Sequence, residues 1–194
     1  ELILQSERPV IYSGGGILKA RAASQLRELA EMLDIHVVTT LMNRGGFPDD
    51  HPLALGMPGM HGNYTAVTAL QEADLLITLG ARFDDRVTGR LDGFAPDAKI
   101  IHADIDPAEF NKVRFADVAI QGDVGKTINE LLNALNQLHE TRQHPDRSEW
   151  KSTVSGWKER FPLVYDEWEL GEGLKPQYVI EQLRDLTPDD TIVA

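Results

Sequence analysis

A chain of 194 residues, 42% hydrophobic and 26% charged, has the composition of one ordinary globular domain, or of one domain and part of another. Its formal net charge of −12 argues against a nucleic-acid surface or an anionic membrane as partner, and no apolar run is long enough to span a bilayer. Cysteine is absent, which excludes disulfides, thiol nucleophiles and thiolate metal sites and suits a reducing cytoplasm. No signal peptide is visible, and Glu1 is not an initiator methionine, so the chain reads as an excised or processed piece.

In chain order, Pro9–Ser13 (PVIYS) reads as a strand stopped by Gly14, Gly15 and Gly16. Ala20–Leu33 follows as a helix, with Leu26, Leu29, Ala30 and Leu33 at helical spacing. His36–Thr40 is the next strand. Leu41–His61 is a long loop rich in glycine and proline, and loops of that length inside a compact domain are usually functional or mobile. Asn63 is placed to cap a helix running to Ala73, with Val67 and Leu70 facing inward. Leu75–Leu79 is an apolar run with the pattern of a strand buried in a parallel sheet, ended by Gly80. Lys99–Ala103 and Val118–Gln121 are further strands, with a short helix opened by Pro107 between them. Asp123 begins a long amphipathic helix whose stripe is Ile128, Leu131, Leu132, Leu135 and Leu138. Alternating strands and helices imply a three-layer, doubly wound α/β fold with a parallel sheet of about six strands.

Beyond Leu138 the character changes. Thr141–Glu149 is polar and reads as a linker, Trp150–Phe161 as a helix with Val154 and Trp157 on one face, and Leu170–Gly173 as a turn. Pro176–Leu186 is a helix carrying Val179, Ile180 and Leu183, and Thr191–Ala194 begins a buried strand. The domain boundaries expected from this are 1–140 for the nucleotide-binding unit and 141–173 for a linker with a helix. Residues 174–194 then open a further, truncated domain.

The segment Leu75–Gly93 carries the strongest chemical signal. A glycine at a strand's carboxyl end lets another backbone or a ligand approach closely. Arg82, Arg86 and Arg90 follow Gly80 at four-residue spacing, so on a helix they share one face. Crevices at the carboxyl ends of strands bind ligands in open α/β sheets, and arginine suits a phosphate or pyrophosphate. A solvated network with Asp84, Asp85 and Asp92 is an equal alternative. Gly14–Gly16 stands where a dinucleotide fingerprint belongs, but Lys19 occupies its third small position and Thr39 and Thr40 replace the expected ribose-binding acid. The glycines there either offer amides to a phosphate or make a tight turn. Gly125-Lys126-Thr127 lacks the glycine of a phosphate loop at Ile120 and reads as a helix start. Gly122-Asp123 is followed by Val124 rather than the glycine of a magnesium–diphosphate motif, so Asp123 reads as a helix cap. The six histidines have no metal-ligand spacing. His61 lies in a loop beside the crevice, and Asp104 and Asp106 at another strand end suit either ribose hydroxyls or a turn.

Taken together, GGG at Gly14–Gly16, TTLMNRGGFP at Thr39–Pro48, LGMPGMHGN at Leu55–Asn63, GARFDDRVTG at Gly80–Gly89, HADIDPAE at His102–Glu109 and GD at Gly122–Asp123 resemble the central domain of the acetohydroxyacid synthase (acetolactate synthase) catalytic subunit. The resemblance runs from about Pro9 to Leu138 and continues into LKPQYVIEQL, which is similar to the entry of that family's carboxyl-terminal thiamine domain. It implies FAD held in this domain as a structural cofactor. The contacts it implies are at Gly14, Gly15, Gly16, Thr40, Leu41, Gly59, Met60, His61, Gly80, Ala81, Arg82, Asp84, Arg86, Val87, Asp104, Ile105, Gly122 and Asp123. Asp106 departs from the family by adding negative charge near the expected ribose. Thiamine diphosphate and Mg²⁺ belong, on the same resemblance, to the intact enzyme alone, which joins two 2-keto acids with decarboxylation in branched-chain amino acid biosynthesis. The catalytic glutamate and the metal motif lie in domains this chain does not carry, so no catalytic or metal residue is assigned and the piece alone is expected to be inactive. Other domains of the subunit, a homo-oligomer and a regulatory subunit are the implied partners, with no nucleic acid or membrane. A related carboligase such as glyoxylate carboligase, or a free-standing nucleotide-binding module, are the alternatives.

Overall fold

The structure is a computed structural model that describes residues 1–139, 145–165, 173–188 and 190–192. The chain forms two compact units, Glu1–Phe161 and Pro162–Ala194. The first is built on a six-stranded sheet of β1 (Pro9–Ser13), β2 (His36–Thr39), β3 (Ala54–Gly56), β4 (Leu75–Leu79), β5 (Lys99–Asp104) and β6 (Val118–Gln121). All pairings are parallel and the spatial order is β3-β2-β1-β4-β5-β6. β1 and β4 sit centrally and are buried at every position, because helices cover both faces of a parallel sheet. The long loop contains the sixth strand, β3, which the sequence reading leaves unplaced. Three residues are too few to show an alternating pattern.

On one face, α1 (Leu2–Gln5), α2 (Gly16–Lys19), α3 (Ala23–Leu33) and α6 (Val124–His139) enclose a core with Ile3, Ile17, Leu26, Leu29, Ile128, Leu132 and Leu135. On the other, α4 (Tyr64–Glu72) and α7 (Ser148–Arg160) enclose Leu70, Phe83, Phe94, Trp150 and Val154. These layers match the three-layer, doubly wound expectation. Between them come the single-turn α5 (Asp85–Thr88) and 3₁₀ turns at Leu41–Asn43, Leu91–Gly93 and Pro107–Glu109.

Several local expectations are corrected. The helix expected over Ala20–Leu33 begins only at Ala23, as α3; the separate turn α2 precedes it, and Arg21, at the left-handed φ of +54°, lies between the two. Asn63 stands at the N-cap of α4, but its side chain donates to the Leu55 carbonyl at 3.2 Å instead of capping. Val67 is exposed while Leu70 is buried, since α4 turns Ala66, Ala69 and Leu70 to the sheet. Leu138 lies past the buried part of the α6 stripe and is exposed.

The second unit contains α8 (Pro176–Leu186), whose Tyr178, Ile180 and Leu183 are exposed. Within it Tyr165 donates to the Glu181 carboxylate at 2.5 Å. Thr191 and Ile192 form no strand, and Ile192 is exposed rather than buried. The rest of that expected strand and the turn at Leu170–Gly173 fall outside the described residues, apart from Gly173. Among the described residues no helix is long and apolar enough to cross a membrane.

Candidate functional site

The sheet order reverses direction between β1 and β4, and in such sheets the carboxyl edge at that point is the ligand crevice. Gly14–Gly16 follows β1 and Gly80 follows β4, so the two glycine segments meet there. Gly14 N–H donates to Leu79 O and Gly16 N–H to Gly80 O, both at 3.0 Å. A Cβ on Gly14 would stand 2.3 Å from Gly80 O, and one on Gly16 2.7 Å from Gly80 Cα. Gly80 itself has φ +58°. Gly14, Gly16 and Gly80 are therefore glycines because two backbones touch, and the tight-turn reading accounts for them. Of that triplet only Gly15 keeps its amide out of these bonds. A Cβ there would lie 3.1 Å from Met42 Cβ.

The arginine segment is positioned by its buried neighbours. Ala81 and Phe83 point inward, which by alternation turns Arg82 and Asp84 outward. Phe83 packs on Tyr12, His102 and Phe94 at ring separations of 5.9, 5.4 and 6.1 Å. Tyr12 donates its hydroxyl to Arg82 O at 3.3 Å. His102 Nε2 lies 3.0 Å from Ala81 O, and a carbonyl only accepts, so the ring proton sits on Nε2. Burial raises the Tyr12 hydroxyl and lowers the His102 imidazole, which keeps both neutral around neutral pH.

Asp84 caps α5 through the Arg86 amide at 3.1 Å. That bond, first among several causes, holds its carboxyl below the ordinary range. Arg82 stands 3.5 Å from Asp84, Arg82 exposed and Asp84 partly buried. Arg86 is exposed and, among the described residues, enters no ion pair within 4.0 Å. The three arginines do not form one helical face. α5 is a single turn, Gly89 ends it at φ +56°, and Arg90 beyond pairs with Asp92 at 2.7 Å in solvent.

The long loop returns to this turn. Gly59, at φ +97°, would place a Cβ 2.7 Å from Arg86 O, and the Met60 N–H donates to the same carbonyl at 3.3 Å. Gly59 and Met60 are thus seated on Arg86 and Val87, and His61 follows them in the chain. Thr40 N–H bonds Ser13 O at 2.9 Å, leading into Leu41. On the β5–β6 side the Asp104 carboxylate accepts from the Asp106 amide at 2.9 Å. Its carbonyl accepts from Gly122 N–H at 2.9 Å, and Asp123 caps α6 through the Lys126 amide at 3.0 Å. Leu41, Met42, Met60 and Ile105 are 69% to 80% exposed along this edge.

The contacts join Gly14–Gly16, Gly80–Val87 and Gly59–Met60 directly. The Asp104–Ile105 and Gly122–Asp123 pairs form the outer flank of the same edge. Tyr12, Phe83, His102 and Asn43 are supports the sequence reading missed. Asn43 is fully buried and donates to Ser13 Oγ at 2.9 Å. Their signal was faint: Tyr12 and His102 are an aromatic and a polar residue inside otherwise apolar strands, and Asn43 and Phe83 lie in loops.

Residues 1–131 match the family described as thiamine pyrophosphate enzyme, central domain. The whole chain is 53% identical to an acetolactate synthase of Mycobacterium bovis, covering 31% of that protein. Over 97% of its length it is 52% identical to an acetolactate synthase large subunit of Corynebacterium glutamicum, covering 30% of it. It is also 45% identical, over all its length, to a chloroplastic acetolactate synthase of Oryza sativa, covering 29%. The chain spans about a third of the length of the curated relatives it matches. With 131 of its 194 residues inside that match, the chain belongs to the thiamine pyrophosphate enzyme central-domain family.

Proposed function

We propose that this chain is the FAD-holding central domain of an acetolactate synthase large subunit. The whole protein would condense two 2-keto acids with loss of carbon dioxide, a transferase reaction dependent on thiamine diphosphate and Mg²⁺ held by its other domains. A cytoplasmic setting, a homo-oligomer and a regulatory subunit belong to the same reading. The observation that carries it is the seating of Gly59 and Met60 on the Gly80–Val87 turn at the β1/β4 reversal, beside an arginine in no ion pair within 4.0 Å among the described residues.

The residues suit the cofactor in two ways. Arg82 and Arg86 offer exposed guanidiniums for a pyrophosphate or for flavin oxygens. Leu41, Met42, Met60 and Ile105 offer apolar area for flat aromatic rings, and large exposed apolar groups at one edge mark a binding surface. FAD bound there supplies a rigid structural element and no net redox change. The chain's own groups bind and orient it: Phe83, Tyr12 and His102 hold the backbone from which Arg82 and Arg86 project.

The test is titration of the chain with FAD, read by flavin absorbance and fluorescence, on wild type, Arg82→Ala and Arg86→Ala. A charge-assisted contact contributes about 1.5–3 kcal/mol, so each variant should bind about one to two decades more weakly. Equal affinity in all three would reject the arginine assignment, and absence of flavin binding by wild type would reject the reading.

A further inference from the structure

The opposite edge of the sheet holds a cavity that the FAD reading does not use. His36 opens β2 at its amino end, and beside it lies an open cavity of about 400 Å³. Glu31 and Asp34 line it from α3 and the turn after it. His51, Pro52 and Leu53 line it from the loop before β3, and Lys151, Ser155 and Lys158 from α7. The three α7 residues are spaced i, i+4, i+7 and share one stripe.

The carboxylates at this cavity are already engaged. Glu31 takes Arg27 at 2.7 Å and His51 at 3.1 Å, and Asp34 takes Lys151 at 2.6 Å. Lys158 is the exception. Its Nζ donates to Pro52 O at 2.8 Å and, among the described residues, meets no carboxylate within 4.0 Å. His36 is 6% exposed, and among the described residues neither ring nitrogen has a hydrogen-bond partner. Nδ1 is sealed from water. A buried N–H without an acceptor is a rarer orphan than an unfilled lone pair, so the neutral ring carries its proton on Nε2, on the side that opens into the cavity.

Lys158, which keeps donors beyond its bond to Pro52 O, the His36 ring and Ser155 thus line one space, and among the described residues none of the three is paired with a carboxylate. We propose that this cavity binds a phosphate group, free or borne by a small metabolite, through Lys158, the His36 Nε2–H and Ser155. Phosphate presents several acceptor oxygens and more than one negative charge, so it can meet all three donors at once. The cavity leaves room beyond the phosphate for an organic residue.

His36 reports binding locally, because the arginine turn lies at the other edge of the sheet. The groups facing it are Asp34, Lys151 and Lys158, with Glu31 and His51 across the cavity. A bound anion favours the imidazolium, so the His36 titration, followed by ring NMR signals, should move up by about one unit or more in phosphate compared with chloride at matched ionic strength. Glycerol 3-phosphate is the second arm and acetate the third. A larger shift with glycerol 3-phosphate than with phosphate at equal concentration assigns a phosphorylated metabolite, and equal shifts assign free phosphate. The shift should vanish in Lys158→Met and shrink in Ser155→Ala, both checked for a native spectrum. No shift in wild type, an equal shift with acetate, or an undiminished shift in both variants would overturn the site.

Discussion

At the residue scale, the glycines and histidines carry definite energies. Gly80 combines a φ of +58° with a backbone neighbour, since a Cβ there would lie 2.8 Å from Gly16 Cα. A left-handed conformation costs an alanine about 1–2 kcal/mol, and overpacking against backbone adds about 1–3 kcal/mol. Gly80→Ala should therefore lose about 2–5 kcal/mol in urea unfolding, whereas Gly93→Ala, with open space at its Cβ position, should lose little. His36 sets a pH dependence. Burial first, then Lys158, lowers its imidazole from 6.5 to about 4. The unfolded chain therefore takes up a proton between pH 6.5 and about 4 while the folded chain does not. The stability contribution is full above pH 6.5 and declines as pH falls towards 4, by about 3 kcal/mol at most. His102 is shifted in the same direction. Urea midpoints measured across this window should slope less steeply in His36→Gln than in wild type.

At the element scale, Arg147 joins the last helix of the first unit to the rest of it. Its guanidinium donates to Ile3 O at 2.6 Å, Leu33 O at 2.8 Å and Ser6 O at 3.1 Å. Those carbonyls lie in α1, just beyond it and at the end of α3, where helices leave acceptors unpaired and favour a cation. Arg147 is 7% exposed, so little water can replace it. Arg147→Met should cost about 3 kcal/mol, since it strands buried acceptors, and should speed hydrogen exchange in α1 before β1 or β4. Arg147→Lys keeps the charge but loses the fork, and falls between. Unchanged stability in Arg147→Met would mean that the carbonyls find water instead. α7 itself is fastened to α4 by Trp150 and Val154, with Tyr64 and Phe161 rings 3.8 Å apart.

At the scale of the whole molecule, the β3-β2-β1-β4-β5-β6 order places the reversal, and with it the crevice, between the glycine segments. Leu41, Met42, Met60 and Ile105 are exposed along that edge. Thiamine chemistry needs a carboxylate beside the cofactor and ligands for its metal. Among the described residues no group of three or more His, Asp or Glu side chains is arranged to hold a metal. With the chain spanning about a third of its relatives, we expect no acetolactate from pyruvate when FAD, thiamine diphosphate and Mg²⁺ are supplied to it alone. Acetolactate above a protein-free blank, in a preparation shown by mass to contain only these residues, would refute this.

The sequence by itself determined the class of fold. Five of the six strands, the crossover helices and the carboxyl-edge loops were legible because buried parallel strands are short apolar runs closed by glycine, a local signal. The cap at Asp123 was legible for the same reason, since a cap is a local signal as well. Tertiary structure decided what depends on contact between distant segments. Whether Gly14 and Gly16 serve a ligand or a neighbour turns on Gly80, more than sixty residues away. The three arginines separated because Asp84 capped a single turn and Gly89 ended it, a conformation that four-residue spacing alone does not encode. Arg147 sat in a polar stretch that resembles any linker, yet it is buried, because the carbonyls that receive it come from the far end of the chain. The His36 cavity was invisible for the same reason: its walls come from β2, a loop and a helix more than a hundred residues on, and spacing along a chain carries no record of which faces will meet.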